Sequence, residues 1–129
     1  ILSGEVFRGE KRLKLESLQV LCGNSVMPVA TVGVRINGEV HTSTAPGNGP
    51  IDAAFTAVKH LIHENVHLEE FLIQAITRGS DDMGKVHIQV EHAGNIYYGF
   101  SANTDIITAS VEAFIDAISK IDNERKDTI

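Results

Sequence analysis

The string His63-Glu64-Asn65-Val66-His67 carries the H-E-x-x-H spacing of zinc proteases. That chemistry needs two imidazoles one turn apart on a continuous helix, with the glutamate polarising a zinc-bound water. Here the string begins where an apolar helical stripe is ending, and Asn65 is a natural helix terminator. His41, His60, His87 and His92 offer no third ligand just downstream. Solvent-side histidines at a helix end account for the string, and for a patch of His60, His63 and His67. Cys22, the single cysteine, has no basic partner close in sequence, which suits a small buried or turn residue better than a nucleophile. Ser43, Ser80, Ser101 and Ser110 lack the G-x-S-x-G elbow of a hydrolase. Asp81-Asp82, in a Gly-flanked polar stretch, reads as a solvated turn. No catalytic constellation emerges from the residue types.

A binding chemistry does emerge, at Gly47-Asn48-Gly49-Pro50-Ile51-Asp52. Free N–H groups at a helix start, with the positive end of its dipole, attract a carboxylate. Small residues let a ligand approach the backbone. Asp52 in the first turn can complement the dipole or pair with an ammonium group. A plain capped helix start after a tight turn explains the same residues, and the physics alone leaves both readings open. Ala102-Asn103-Thr104-Asp105-Ile106 forms a second corner of this kind.

The elements that position these corners follow from periodicity. Leu13, Leu15, Leu18 and Val20 suit a strand whose alternation slips near Ser17. Val29 to Ile36 follows, ending at Asn37-Gly38, a hairpin turn whose central positions accept positive φ, and Val40 to Ala45 returns. After the breakers Pro46 to Pro50, the residues Ile51, Ala54, Phe55, Val58, Leu61 and Ile62 mark an amphipathic helix with Pro50 at its first position. The order then repeats. Phe71 to Thr77 is strand-like, Arg78 to Gly84 a polar turn, and Val86, Ile88 and Val90 alternate. Ala93-Gly94-Asn95 makes a hairpin and Ile96 to Ala102 returns. Thr104 or Asp105 then caps a helix carrying Ile107, Val111, Phe114, Ala117, Ile118 and Ile121. Displaced by 56 residues, Val34 meets Val90, Gly38 meets Gly94, Ile51 meets Ile107, Ala53 meets Ala109, Ala57 meets Ala113 and Ile62 meets Ile118. The expected fold is therefore α+β, a duplicated βββα unit with helices packed on antiparallel sheets and a pseudo-twofold repeat. The charged end after Ile121 lacks periodicity and is expected to fray.

Composition sets the outer limits. A chain of 129 residues is one domain, with half-repeats at about 13–64 and 68–121, and 43% hydrophobic content suffices for a core. With 11 Lys+Arg against 17 Asp+Glu the net charge is −6, which disfavours nucleic acid as a partner. No apolar run reaches the roughly 20 residues of a membrane span. A single cysteine rules out an internal disulfide and fits a reducing cytoplasm. Ile1 in place of Met suggests a piece of a longer protein.

The blocks Gly47-Asn48-Gly49-Pro50-Ile51-Asp52-Ala53-Ala54, Gly79-Ser80-Asp81-Asp82-Met83-Gly84-Lys85-Val86, Tyr98-Gly99 and Thr104-Asp105-Ile106-Ile107-Thr108-Ala109-Ser110 resemble the C-terminal regulatory domain of the 2-isopropylmalate synthase and citramalate synthase family, in order from about Leu13 to Ile121. The resemblance implies a noncatalytic domain that forms a homodimer and binds leucine as feedback effector, or isoleucine if the parent makes citramalate. It also implies a separate catalytic (β/α)₈ barrel, outside this sequence, that condenses acetyl-CoA with 2-oxoisovalerate and is expected to use a divalent metal. No cofactor is implied for this domain. Carried over by motif, the effector site comprises Gly49, Pro50, Ile51 and Asp52 at the junction, with Leu68, Phe71 and Ala75 as an apolar wall. Asp82 and Gly84 come from the following turn, and Ala102 and Thr104 from the second corner. Where relatives carry an aromatic hydroxyl, Phe71 has none.

Overall fold

A computed structural model describes residues 13–21, 23, 27–62, 66–78 and 81–127. In chain order, strands β1 (Leu13–Leu21), β2 (Val29–Ile36) and β3 (Glu39–Pro46) lead into helix α1 (Pro50–Ile62). Strands β4 (His67–Arg78), β5 (Asp81–His92) and β6 (Asn95–Asn103) then lead into α2 (Ile106–Asp127). The strands form two antiparallel three-stranded sheets, ordered β1-β2-β3 and β4-β5-β6. This is the duplicated βββα unit that the spacing predicts.

Both hairpins turn on two residues with positive φ, Asn37 (53°) and Gly38 (92°) in one and Ala93 (53°) and Gly94 (86°) in the other. Such a turn matches the twist of the strands it joins. The alternation slip near Ser17 is a bulge: Leu15 faces Val34, Ser17 faces Gly33, and Glu16 is the extra residue. Arg35 Nε donates to Glu16 Oε2 at 2.9 Å, and that guanidinium holds the exposed carboxyl below its ordinary value. In β4 the bulge falls at the same step, with Leu68 facing Val90 and Glu70 facing Gln89. The offset of 56 thus holds from β2 to α1, whereas β1 and β4 match at 53.

Four expectations are corrected. The stretch from Arg78 to Gly84 is not all a polar turn: Arg78 ends β4 and pairs with Asp81, and residues 81–84 already belong to β5, while Gly79 and Ser80 lie outside the described residues. Its small residues suggest a loop, but Gly84 is buried because a Cβ there would run into Ile106. β4 starts at His67, before Phe71, and Asn95 belongs to β6, where it pairs with His92. The end after Ile121 stays helical to Asp127, since Glu, Lys and Arg sustain a helix without an apolar stripe.

Each sheet turns one face to the helices. Ala30, Val32 and Val34 on β2 and Val86, Ile88 and Val90 on β5 join both helices in one buried cluster. Helix α1 packs on β1, β2, β3 and α2, while α2 packs on β5 and β6 and reaches across to β1. Ala109, Ser110, Val111, Ala113, Phe114, Ile115, Ala117 and Ile118 are all buried, so α2 is covered on more than one side, while Glu112, Asp116, Ser119 and Lys120 line the face that reaches solvent. The Ser110 hydroxyl meets its need inside the helix, donating to Ile106 O at 2.8 Å. Phe55 of α1 stacks on Phe114 of α2 with ring centroids 4.3 Å apart and joins the two halves. Gly99 of β6 lets the sheet meet α2 where a Cβ would strike Ala113 O. Among the described residues no helix is long and apolar enough to cross a membrane.

Because that stack belongs to both halves, Phe114→Ala is expected to lower stability by about 3–5 kcal/mol. Urea unfolding followed by circular dichroism should still show one transition, at a lower midpoint. Two separated transitions would show that the halves do not share a core.

Candidate functional site

The first corner is built by close packing. Gly47 N–H donates to Pro28 O at 3.0 Å, which lays the loop against the helix start. A Cβ on Gly47 would run into the backbone of Ala53. Asn48 N–H donates to Asp52 Oδ2 at 2.9 Å, so the Asp52 carboxylate is engaged in holding this loop. Gly49 O accepts from Ala53 N–H at 2.9 Å, which makes Gly49 the N-cap and Pro50 the first helical residue. Thr56 Oγ1 donates to Asp52 O at 2.9 Å and tightens the same turn.

Gly49 differs from Gly47. Its φ is not in the left-handed region, and a Cβ built there would meet nothing within 4 Å. Neither backbone conformation nor packing requires glycine at this position. Without a side chain, Gly49 brings no acceptor to the amides of Ile51 and Asp52 behind it.

The second corner shows what such an acceptor does. Asp105 stands where Gly49 stands in the first half. Its carbonyl accepts from Ala109 N–H at 2.9 Å, its Oδ1 from Ile107 N–H at 3.1 Å, and its Oδ2 from Thr108 Oγ1 at 2.7 Å. Asn103 Oδ1 accepts Asp105 N–H at 2.9 Å, and Thr104 Oγ1 lies 3.5 Å from the same oxygen. Asp105, not Thr104, is therefore the cap. Asp105 thus caps α2 with its carboxylate, whereas at Gly49 the space that a side chain would enter is open.

The remaining expected site positions fall on sheet β4-β5-β6. Ala75 faces Gly84 and Thr77 faces Asp82 in the β4–β5 register, while Ala102 faces Lys85 and Asn103 faces Gly84 in the β5–β6 register. Ala75, Asp82, Gly84, Ala102 and Thr104 thus gather where the sheet meets the start of α2. Gly84 lies beneath Ile106. Phe71 meets Phe55 edge-on at 6.0 Å, one helical turn from Ile51. Leu68 stands apart, seven residues from Ala75 and so roughly 20 Å along the strand. One amino acid cannot touch both within a single chain. Phe55 and Ile106 prove to link these positions; in the sequence Phe55 shows only as a place in an apolar stripe, and Ile106 only as the last residue of the second corner.

The protease-like string is not carried on one continuous helix. His67 opens β4 and therefore shares no helix with the residues before it, while His63, Glu64 and Asn65 lie outside the described residues. Cys22 and Ser80 also lie outside them. Ser101 donates to Glu112 Oε1 at 2.8 Å, a contact between β6 and α2. Among the described residues, no three His, Cys, Asp or Glu side chains come together to hold a metal ion.

Comparison with known proteins agrees with this architecture. Residues 1–122 match the family described as the LeuA allosteric (dimerisation) domain. A 2-isopropylmalate synthase of Parabacteroides distasonis is 54% identical over 121 residues, covering 93% of this chain and 24% of that protein. The enzyme of the same name from Trichodesmium erythraeum is 41% identical over 122 residues, covering 94% of this chain and 23% of its own. The chain thus spans about a quarter of the length of these relatives. With two βββα units in one core, two helix-start corners, and a match running through both, the chain belongs to the LeuA allosteric (dimerisation) domain family.

Proposed function

We propose that this chain is the leucine-binding, feedback-regulatory and homodimerising domain of a 2-isopropylmalate synthase, in the cytoplasm, and that it catalyses nothing by itself. The parent protein would condense acetyl-CoA with 2-oxoisovalerate on a separate barrel, with the barrel's own divalent metal. The observation that carries the reading is the contrast between Gly49 and Asp105. In the second half a carboxylate caps the helix; in the first, the same position is glycine, with open space in front of it.

A free amino acid supplies the missing carboxylate. Set against the amides of Ile51 and Asp52, it meets two donors and the positive end of α1. The ammonium group finds backbone carbonyls and the Asp52 carboxylate nearby. Phe71, tied to α1 through Phe55, offers an apolar wall for a branched side chain. Gly84 contributes indirectly, by admitting Ile106 to the end of the sheet. Selectivity among branched side chains rests on about one methylene, worth roughly 1–3 kcal/mol. Binding regulates the distant barrel only insofar as leucine prefers one of two domain arrangements.

The test is a thermal-shift titration with leucine, isoleucine, valine and a non-branched control. A ligand binding only the folded state adds about 2.7 kcal/mol at one hundred times its dissociation constant. Leucine is expected to raise the midpoint most. An isoleucine maximum would instead assign the domain to a citramalate synthase, and no shift with any of them would leave an amino-acid-insensitive dimerisation module.

The corner itself is tested by Gly49→Asp, which places a carboxylate where Asp105 has one. This variant is expected to keep or slightly raise the unliganded midpoint, since aspartate caps better than glycine by a few tenths of a kcal/mol. Its leucine shift should vanish. Asp105→Ala is the converse control, losing about 0.5–2 kcal/mol of stability while retaining the leucine shift. A full leucine response in Gly49→Asp would sink the assignment of the carboxylate to this corner.

A further inference from the structure

The two halves of the molecule treat their first strands differently. Register places Leu15, Leu18 and Val20 of β1 opposite Val34, Val32 and Ala30, and it places Leu68, Phe71 and Ile73 of β4 opposite Val90, Ile88 and Val86. These are equivalent positions on helix-facing surfaces. In β1 all three are half-buried, because α2 reaches across that strand. In β4 the flanking pair is open, with Leu68 43% and Ile73 42% exposed. On its other face Leu72 is 52% exposed, where the equivalent residue of β1 is Gln19. One strand of twelve residues therefore shows large aliphatic side chains on both faces.

The strand edges are also unequal. Along the outer edge of β6, Phe100 N–H donates to Asp116 Oδ2 at 3.1 Å and Lys120 Nζ donates to Tyr98 O, so two charged side chains of α2 close it. The start of β1 shares a groove with Glu112, Ile115, Asp116 and Ser119 of α2. β3 carries exposed Glu39, His41, Thr42 and Thr44, polar groups that discourage pairing. β4 forms the other edge of its sheet; it is twelve residues long and, beyond the polar Glu69 and Glu70 at its bulge, it exposes Leu68, Leu72 and Ile73.

We infer that β4 is the strand on which a second copy of this chain docks, antiparallel and edge to edge about a twofold axis, making one six-stranded sheet across the dimer. This rests on the dimerisation reading above and assigns it to a surface. The fold itself identifies the occupant. At the equivalent strand, β1, the missing cover is supplied by the helix of another βββα unit, and a second copy of this chain brings such a unit to β4. Antiparallel pairing of a strand with itself is isologous, so one contact closes both edges and leaves none to propagate. The same contact withdraws Leu68, Leu72 and Ile73 from water.

The experiment is sedimentation of the wild type, Leu72→Glu, Ile73→Glu and a control, Val40→Glu on β3, across a range of protein concentrations. Amide hydrogen exchange of the wild type is measured over the same range. The wild type and Val40→Glu are expected to be dimers, and the two β4 variants should dissociate at least one hundredfold more readily. Protection of amides in β4 should rise with concentration in the wild type while that of β3 does not, a readout independent of whether any variant folds. A dimer that survives both β4 substitutions, or whose protection gains fall on β3 or β6, overturns the assignment to β4 while leaving dimerisation intact. A wild type that stays monomeric overturns both.

Discussion

Two helices have to share one core with two sheets, and everything else in the molecule is arranged around the closeness this demands. Ala53, Ala54 and Ala57 on α1 and Ala109, Ala113 and Ala117 on α2 are wholly buried. Side chains this small let backbones approach, and Gly99 extends the same economy of volume to β6. Bulk is then concentrated around Phe55, whose ring stacks on Phe114 and meets Phe71 edge-on, so that large rings from both halves come together. Interiors packed to this density transmit displacement. A change at the start of α1 bears on Phe55 and through it on the second half, a physical route by which a small ligand can matter to a large protein.

The sequence makes the repeat legible because strand and turn chemistry are local. Asn37-Gly38 and Gly94 mark their hairpins through the φ values they tolerate, and Pro50 marks the start of α1 through its missing N–H. Even the slip near Ser17 is informative, since it is the bulge at Glu16 seen in one dimension. What stays hidden is tertiary. Gly84 looks like a turn residue until Ile106 is placed above it, and the polar letters around it do not reveal that β5 starts three residues earlier.

The candidate site was less legible than the fold, for a related reason. Glycine at 47 and glycine at 49 look alike in sequence but answer different needs, one excluded from a side chain by Ala53 and the other facing open space. Only the geometry separates a glycine kept for packing from one that leaves room. The duplication supplies the reference, because Asp105 shows how the same corner is finished when it needs nothing from outside. Function in such a molecule is read from where the halves differ, and stability from where they agree.

The matched bulges extend this comparison to the strands themselves. Glu16 and Glu69 interrupt their strands at the same register step, so the two units share an irregularity as well as an order of elements. Each unit by itself has one helix lying on one sheet and nothing to enclose that helix, and a chain of about sixty residues is marginal by its size. Joined in one chain, each unit supplies the other's missing wall at an effective concentration that no encounter between separate molecules matches.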